Sequence, residues 1–440
     1  MILGNGRVFT NDDNGRVFAN GALLIDGDTI QEVGDFVDLC RKHPDEEVID
    51  VGGRLIMPGL INAHSHIYSA FARGFAPKNP TRNFLEILEN LWWLLDKELT
   101  VEDTKYSAYA TFSESIAQGV TTVIDHHASP HHIEGSLFAI AQAAKDLGIR
   151  TSLCYETSDR DGALIAQQGM EENAAFIRWA QQEPGDMVSG LFGLHAAFTL
   201  SDETLRECSR LARELNAGFH VHVAEGVDDE RLSLERYGLP VVHRLERFGI
   251  LGEKTLAIHC VHANDEELDL LRQTNTCVVH NPESNMGNAV GTSPVVKMLE
   301  KGLMVGLGTD AYTSDLFESM KVAKILQSHA LGDPTVGFSQ ALTLAMKNNP
   351  IIASRHFKKP LGRLMRGAYA DVIVLDYDPP TPFNEATAGG HLLFGLSGYQ
   401  VRDTMINGRF VMKDRILLQK DTALLMAECR KKAKALWSRL

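Results

Sequence analysis

Cysteine is scarce in this chain, six in 440 residues with no CxxC pair. That excludes a zinc ribbon and a thioredoxin-like redox centre, and the thiols are expected to be reduced. Cys260 and Cys277 lie inside apolar runs and read as small core residues. Long hydrophobic stretches are missing too: no run reaches the roughly 18 residues of a membrane span, and "MILGNGRVFT" lacks the basic, apolar and small-residue pattern expected of a signal peptide. Positive charge is in deficit, with 43 Lys and Arg against 57 Asp and Glu and a net charge of −14. A nucleic-acid or anionic-membrane partner is therefore not expected, and the basic tail "RKKAKALWSRL" reads as the end of an amphipathic helix. The expected setting is cytoplasmic and the expected partner a small molecule.

An apolar fraction of 44% and a charged fraction of 23% describe an ordinary folded protein. The length exceeds the roughly 250 to 300 residues of one core, so a large domain with a smaller companion is expected. Residues 1–57 contain "GRVFANGALLIDGDTIQEVGD", which alternates apolar and polar residues around Asn-Gly, Asp-Gly and Gly-Asp turns. The same texture returns within 363–440, in "ADVIVLDYD" and "VRDTMINGRFVMKDR". One small β-sandwich built from both ends is the expectation.

Across 58–362 the pattern changes to short apolar runs separated by amphipathic segments such as "SDETLRECSRLARELN" and "NDEELDLLRQTN". Strands alternating with helices imply parallel pairing with crossover helices. Eight runs are present, the number that closes a (β/α)8 barrel of the TIM type. They end in His66, His126, Glu156, His195, His222, His259, His280 and Asp310, and in a barrel those ends form the face on which active sites are built. A doubly wound sheet would usually carry a Gly-rich phosphate turn after its first strand, and none is there.

Within "NAHSHIY", His64 and His66 stand two apart, so on a strand both face one side. "FHVHVAEG" repeats the arrangement with His220 and His222 and sets Glu225 just beyond. "GLGTDAYTSD" delivers Asp310 at the end of an apolar strand, where a bare carboxylate is costly to bury and a cation would relieve it. Three neutral imidazoles and one carboxylate leave a divalent ion with a net charge of about +1, electrophilic enough to acidify a water.

"PGLINAHSHIYSA", "HVAEG", "HCVHANDEEL", "HNPESNMGN" and "GLGTDAYTSD" occur in an order that resembles the amidohydrolase superfamily, in its deaminase and chlorohydrolase branch. "NLWWLLDKEL", "VIDHHASP" and "YETSDR" look most like the aminohydrolases called SsnA. The resemblance implies metal ligands at His64, His66, His222 and Asp310, with Glu225, His259 and Asp310 in catalytic roles. It further implies a hydroxide generated at the metal that attacks a planar nitrogen heterocycle (aminopurine, pterin, guanine-like or triazine), while Glu225 protonates a ring nitrogen and ammonia leaves. Relatives with two metals use a carbamylated lysine after the fourth strand. No lysine lies between Lys145 and Lys254, and His195 stands in that region instead. One divalent ion is therefore expected, zinc first and iron second. Trp92, Trp93, His195 and Arg160 are the expected substrate contacts. His126 and His127 are assigned no ligand role, and Glu283 departs from the small residue usual after the proline of "HNPESN". Because relatives form dimers and larger assemblies, a homo-oligomer is expected. The alternatives are hydrolysis of a non-aromatic C–N bond, such as a formimino group, and hydrolytic dechlorination of a triazine-like ring.

Overall fold

A computed structural model describes all 440 residues. Eight parallel strands make the ring: Leu60–Ser65, Val120–His127, Arg150–Tyr155, a broken fourth strand (Val188–Gly190 and Phe192–Ala196), Phe219–Val223, Leu256–His259, Cys277–His280 and Val305–Leu307. They pair in two runs, Leu60 to Gly190 and Phe192 to Leu307. A bridge between Thr157 and Leu194 joins the runs on one side, and one between Ser65 and Asp310 closes the ring on the other.

The closing seam has few backbone ladder bonds, and two buried asparagines reinforce it. Asn349 accepts from Leu307 N at 2.8 Å and donates to Ile61 O at 2.7 Å and Leu307 O at 2.8 Å. Asn62 accepts from Thr309 N at 3.2 Å and His64 N at 3.3 Å and donates to Thr309 Oγ1 at 2.8 Å. The seam also requires Gly308, where an added Cβ would stand 2.8 Å from the Cβ of His64. That glycine lets the eighth strand come up against the first and sets Asp310 beside His64 and His66.

The amphipathic segments become the outer helices. "SDETLRECSRLARELN" folds as Asp202–Glu214, with the Ser201 hydroxyl accepting from Thr204 N. "NDEELDLLRQTN" folds as Asp265–Gln273, opened by a reciprocal capping box between Asn264 and Glu267. No helix is long and apolar enough to cross a membrane.

Strands from both ends of the chain join in one nine-stranded sheet. The junction is the antiparallel pair Leu55–Pro58 and Val372–Leu375, with Met57 opposite Ile373. The hairpin between Val401–Ile406 and Arg409–Lys413 turns on Asn407 and Gly408, at φ of 53° and 73°. Two successive positive φ values are what a tight two-residue β-turn demands, and Asn-Gly supplies them at least cost. The sheet has its own core, including Leu3, Leu23, Ile56, Val372 and Met405.

The segment between the first two barrel strands is long, and it supplies the roof of the site. It passes through a π-helical turn, Leu88–Trp92, into the helix Trp93–Glu98. The basic tail folds as the helix Thr422–Trp437 against Val101–Ala117. Trp437 Nε1 donates to Phe71 O at 2.6 Å and Lys78 Nζ to Leu440 O at 2.9 Å, so the tail grips the beginning of the roof segment.

Candidate active site

The strand-end residues converge at the mouth of the barrel. Overlapping sets, His64 with His66 and Asp310, His64 with His222 and His259, and Glu225 with His259 and Asp310, each hold their ligand atoms within 4.8 Å of one another. Every one of these side chains is buried.

Their hydrogen bonds fix which nitrogens are free. His66 Nδ1 lies 2.7 Å from the carbonyl of His126, and His222 Nδ1 lies 3.0 Å from that of His195. A carbonyl only accepts, so both Nδ1 atoms carry the proton and both Nε2 atoms present lone pairs. Those two Nε2 atoms face each other at 3.2 Å, with Asp310 Oδ1 3.6 Å from that of His66. His64 is held through Nδ1 by His220 Nε2 at 2.9 Å, and its Nε2 is buried with no partner. Burial pushes the imidazoles of His64, His66 and His222 below the ordinary histidine range, which favours the neutral form a ligand needs. Acceptors facing acceptors beside a carboxylate, with no proton between them, fit a bound cation.

His259 Nδ1 bonds Asn285 Oδ1 at 2.8 Å, and that amide is oriented by its own donation to Ser293 Oγ at 2.9 Å. His259 Nε2 is thereby a lone pair, 3.3 Å from Glu225 Oε2 and 3.5 Å from Asp310 Oδ2. Glu225 Oε1 accepts from Asn288 Nδ2 at 3.3 Å. Burial first, and then the charge of Asp310, raise the Glu225 carboxyl well above the ordinary range, which favours an acid that can donate. The backbone is held in the left-handed region at Ala224, His259, Cys260 and Asp310, with φ of 46°, 71°, 49° and 54°. Such residues each cost about 1 to 3 kcal/mol and persist where surrounding structure enforces them.

A cleft of about 610 Å³, its open mouth included, lies above these groups. Trp92 and Trp93 both line it, with Tyr68, Phe84, Leu88 and Phe198 completing the apolar wall. His195 lines it too; its Nδ1 bonds Thr199 Oγ1 at 2.8 Å, and burial pushes the ring down to about 4. Arg160 is not among the lining residues. Its guanidinium donates to Asp96 Oδ2 at 2.5 Å, pairs with Asp161 at 3.1 Å and rests 5.2 Å from the centre of the Trp93 ring. The arginine read as a substrate contact is thus a buried tie behind the roof.

Among the polar lining residues, sequence reasoning gave no role to Tyr68, Asp96, Asp229 and Asn288, and named Glu156 only as a strand end. Glu156 bonds His126 Nδ1 at 3.1 Å and lies 3.7 Å from His195 Nε2. Burial opposes its charge, but His195, His126 and Arg160 outweigh that and hold the carboxyl well below the usual range. Its position at the end of the third strand was the available signal. Asp96 lines the cleft with Oδ1 buried and unpartnered, and burial pushes it up to about 7 against the pull of Arg160. His126 Nε2 lies 3.1 Å from the carbonyls of both Leu194 and His220, so this side chain braces the strands that carry other site residues. His127 turns to Ser129. Glu283 is absent from the cleft lining; both carboxyl oxygens lack partners and burial pushes it up to about 7. No lysine lines the cleft.

Residues 55–411 match the Amidohydrolase family, and residues 21–45 match the Imidazolonepropionase-like composite domain of bacteria. The 5'-deoxyadenosine deaminase of Methanosarcina mazei is 32% identical over 100% of this chain and 99% of its own length. The 5-methylthioadenosine/S-adenosylhomocysteine deaminase of Syntrophomonas wolfei is 32% identical over 99% of each. Among solved structures, an adenosine deaminase from Xanthomonas campestris with bound zinc superposes with a TM-score of 0.88 at 22% identity, covering 99% of this chain and 98% of that one. The match across most of the chain and the full-length relatives settle the assignment: the chain belongs to the amidohydrolase family.

Proposed function

We propose that the protein is a metal-dependent hydrolase that deaminates a planar amino-heterocycle, with an adenine-type ring the first candidate because the full-length relatives act on adenosine derivatives. The observation that carries this reading is the placement of Glu225, His259 and Asp310 around the paired lone pairs of His66 and His222, beneath an aromatic cleft. His64, His66, His222 and Asp310 would hold one divalent ion, zinc; when bound, it supplies a water acidified to near neutrality as the hydrolytic nucleophile.

The remaining chemistry belongs to the chain. Trp92 and Trp93 hold the ring flat between aromatic walls. Asp310 and His259 orient the attacking water and take its proton. Glu225 gives a proton to the ring nitrogen beside the amine-bearing carbon as that carbon gains oxygen. The C–N bond then breaks, the proton taken from water passes to the amine, the new hydroxyl returns its proton to Glu225, and ammonia leaves a ring carbonyl behind. Hydrolysis of a flexible formimino dicarboxylate would call for cations along the wall, and the lining contains no lysine or arginine.

The test is ammonia release by zinc-loaded protein from 5'-deoxyadenosine, 5-methylthioadenosine, guanine and a pterin, with a chlorotriazine and a formimino compound alongside. Ammonia from at least one aminated ring supports the reading. Turnover confined to the formimino or chlorinated compound overturns it, as does turnover of none.

A further inference from the structure

The charge of the cleft wall is one-sided. Asp96, Glu156, Glu225, Asp229 and Asp310 contribute carboxyls to it, and no lysine or arginine does. Three of these have work assigned to them: Glu225 and Asp310 in the proposed chemistry, and Asp229 in accepting from Ala224 N at 2.7 Å. Asp96 and Glu156 each have one oxygen engaged, by Arg160 and by His126, and one left over. Asp96 is 1% exposed, and its Oδ1 has no hydrogen-bond partner. Glu156 is 7% exposed, and its nearest partner on the Oε1 side is His195 at 3.7 Å. Two nearly buried carboxyls that line an aromatic slot and keep spare acceptor capacity call for donors from a guest. The nearby cations are Arg160, paired with Asp96 and Asp161 beside Trp93 with its Nη1 unpartnered, and Lys97, paired with Asp161 at 2.8 Å; neither lines the cleft.

We infer that the substrate is an uncharged or cationic ring compound that presents N–H or O–H donors to Asp96 and Glu156, and that the cleft rejects ring compounds whose substituent carries a carboxylate or phosphate. The inference rests on the deaminase reading and narrows it. Away from the metal proposed at the floor, an anionic substituent would lose its water against a carboxyl-bearing wall with no lysine or arginine to receive it, which is discrimination by repulsion. The wall would therefore separate the two substrates that share the name of one relative, accepting the neutral thioether nucleoside and refusing its amino-acid-bearing counterpart.

The experiment compares kcat/KM of the zinc-loaded full chain at pH 8, where Asp96 is ionised. The neutral compounds are 5'-deoxyadenosine, 5-methylthioadenosine and an uncharged 5'-alkylthioadenosine as long as S-adenosylhomocysteine. The compounds bearing a carboxylate or phosphate are S-adenosylhomocysteine, a zwitterion whose amine is also charged, and the net anion adenosine 5'-phosphate, and the pair pterin and pterin-6-carboxylate extends the test to free bases. The expected result is a preference of about 100-fold or more for the neutral member of each size-matched pair, carried mainly by KM. Asp96→Asn, which removes one wall charge and one of the two carboxylates paired with Arg160, should reduce that preference below about tenfold by improving the anionic compound. Neutral and anionic members turned over within threefold of each other would overturn the inference while leaving the deaminase reading standing. Ammonia from none of the rings would overturn both. The wild-type ratio decides the matter even if Asp96→Asn fails to fold.

Discussion

Replacing Glu225 by glutamine isolates the proton that the proposed mechanism needs. The side chain is 8% exposed, with Oε1 accepting from Asn288 and Oε2 3.3 Å from the His259 Nε2 lone pair. Glutamine fills the same volume. Its oxygen keeps the Asn288 contact, and its NH2 can donate to His259, so no buried acceptor is stranded. Stability should change by less than about 1 kcal/mol, and the melting temperature by about 1 °C in a chain of this length. What is lost is a transferable proton, and removing a positioned general acid costs about 10² to 10⁴ in kcat. At 1.36 kcal/mol per tenfold, that is about 2.7 to 5.4 kcal/mol of barrier. The assay is steady-state ammonia release from the best substrate, with metal content matched between variant and parent. A loss of less than tenfold at equal metal loading would refute the assignment of Glu225 as the acid.

Three further predictions concern stability. Stripping the metal with a chelator should lower the melting temperature by about 3 °C relative to zinc held at 100 times its Kd, and zinc should restore it; an unchanged melting curve would argue against an ion between His66 and His222. Asn349→Leu removes three hydrogen bonds to buried backbone at the barrel seam and should cost about 3 to 5 kcal/mol in denaturant unfolding, whereas a loss under 1 kcal/mol would show that the seam closes without it. Burial and then the charge of Glu267 raise the Glu230 carboxyl above its unfolded range, so the folded chain holds a proton that the unfolded chain has released. Stability should fall as pH climbs upward from the ordinary carboxylate range, and Glu230→Gln should flatten that slope; an identical slope in the variant would refute the assignment.

The strand ends were legible because a period-two pattern and the barrel rule act locally: knowing that His64 and His66 share a side requires only their spacing. The convergence of Asp310 on them followed from the same rule, since all eight strand ends share one face. Arg160 was misread because its partner, Asp96, lies far away in sequence, and nothing near either residue announces the pairing. Asp96 sits in "LLDKEL" beside two other charged residues and resembles any solvated helix position, yet it is buried. Trp92 and Trp93 were expected at the cleft from the resemblance, whereas the π-helical turn whose end they straddle, which lets both line it, is announced by no propensity. At the ends of the chain, strand texture was readable, but the merging of both ends into a single sheet depends on Leu55–Pro58 meeting Val372–Leu375, a choice made by tertiary packing.

The grip of Trp437 on the carbonyl of Phe71 bears on how the enzyme matures. Protein synthesis delivers His64 early and Asp310 late, so every proposed ligand and acid of the cleft has emerged before residue 437 is added. Until then the segment leading to Trp92 and Trp93 has lost one of its anchors. The barrel strands and the cover over the cleft are thus tied together by a residue made later than any of the strands themselves.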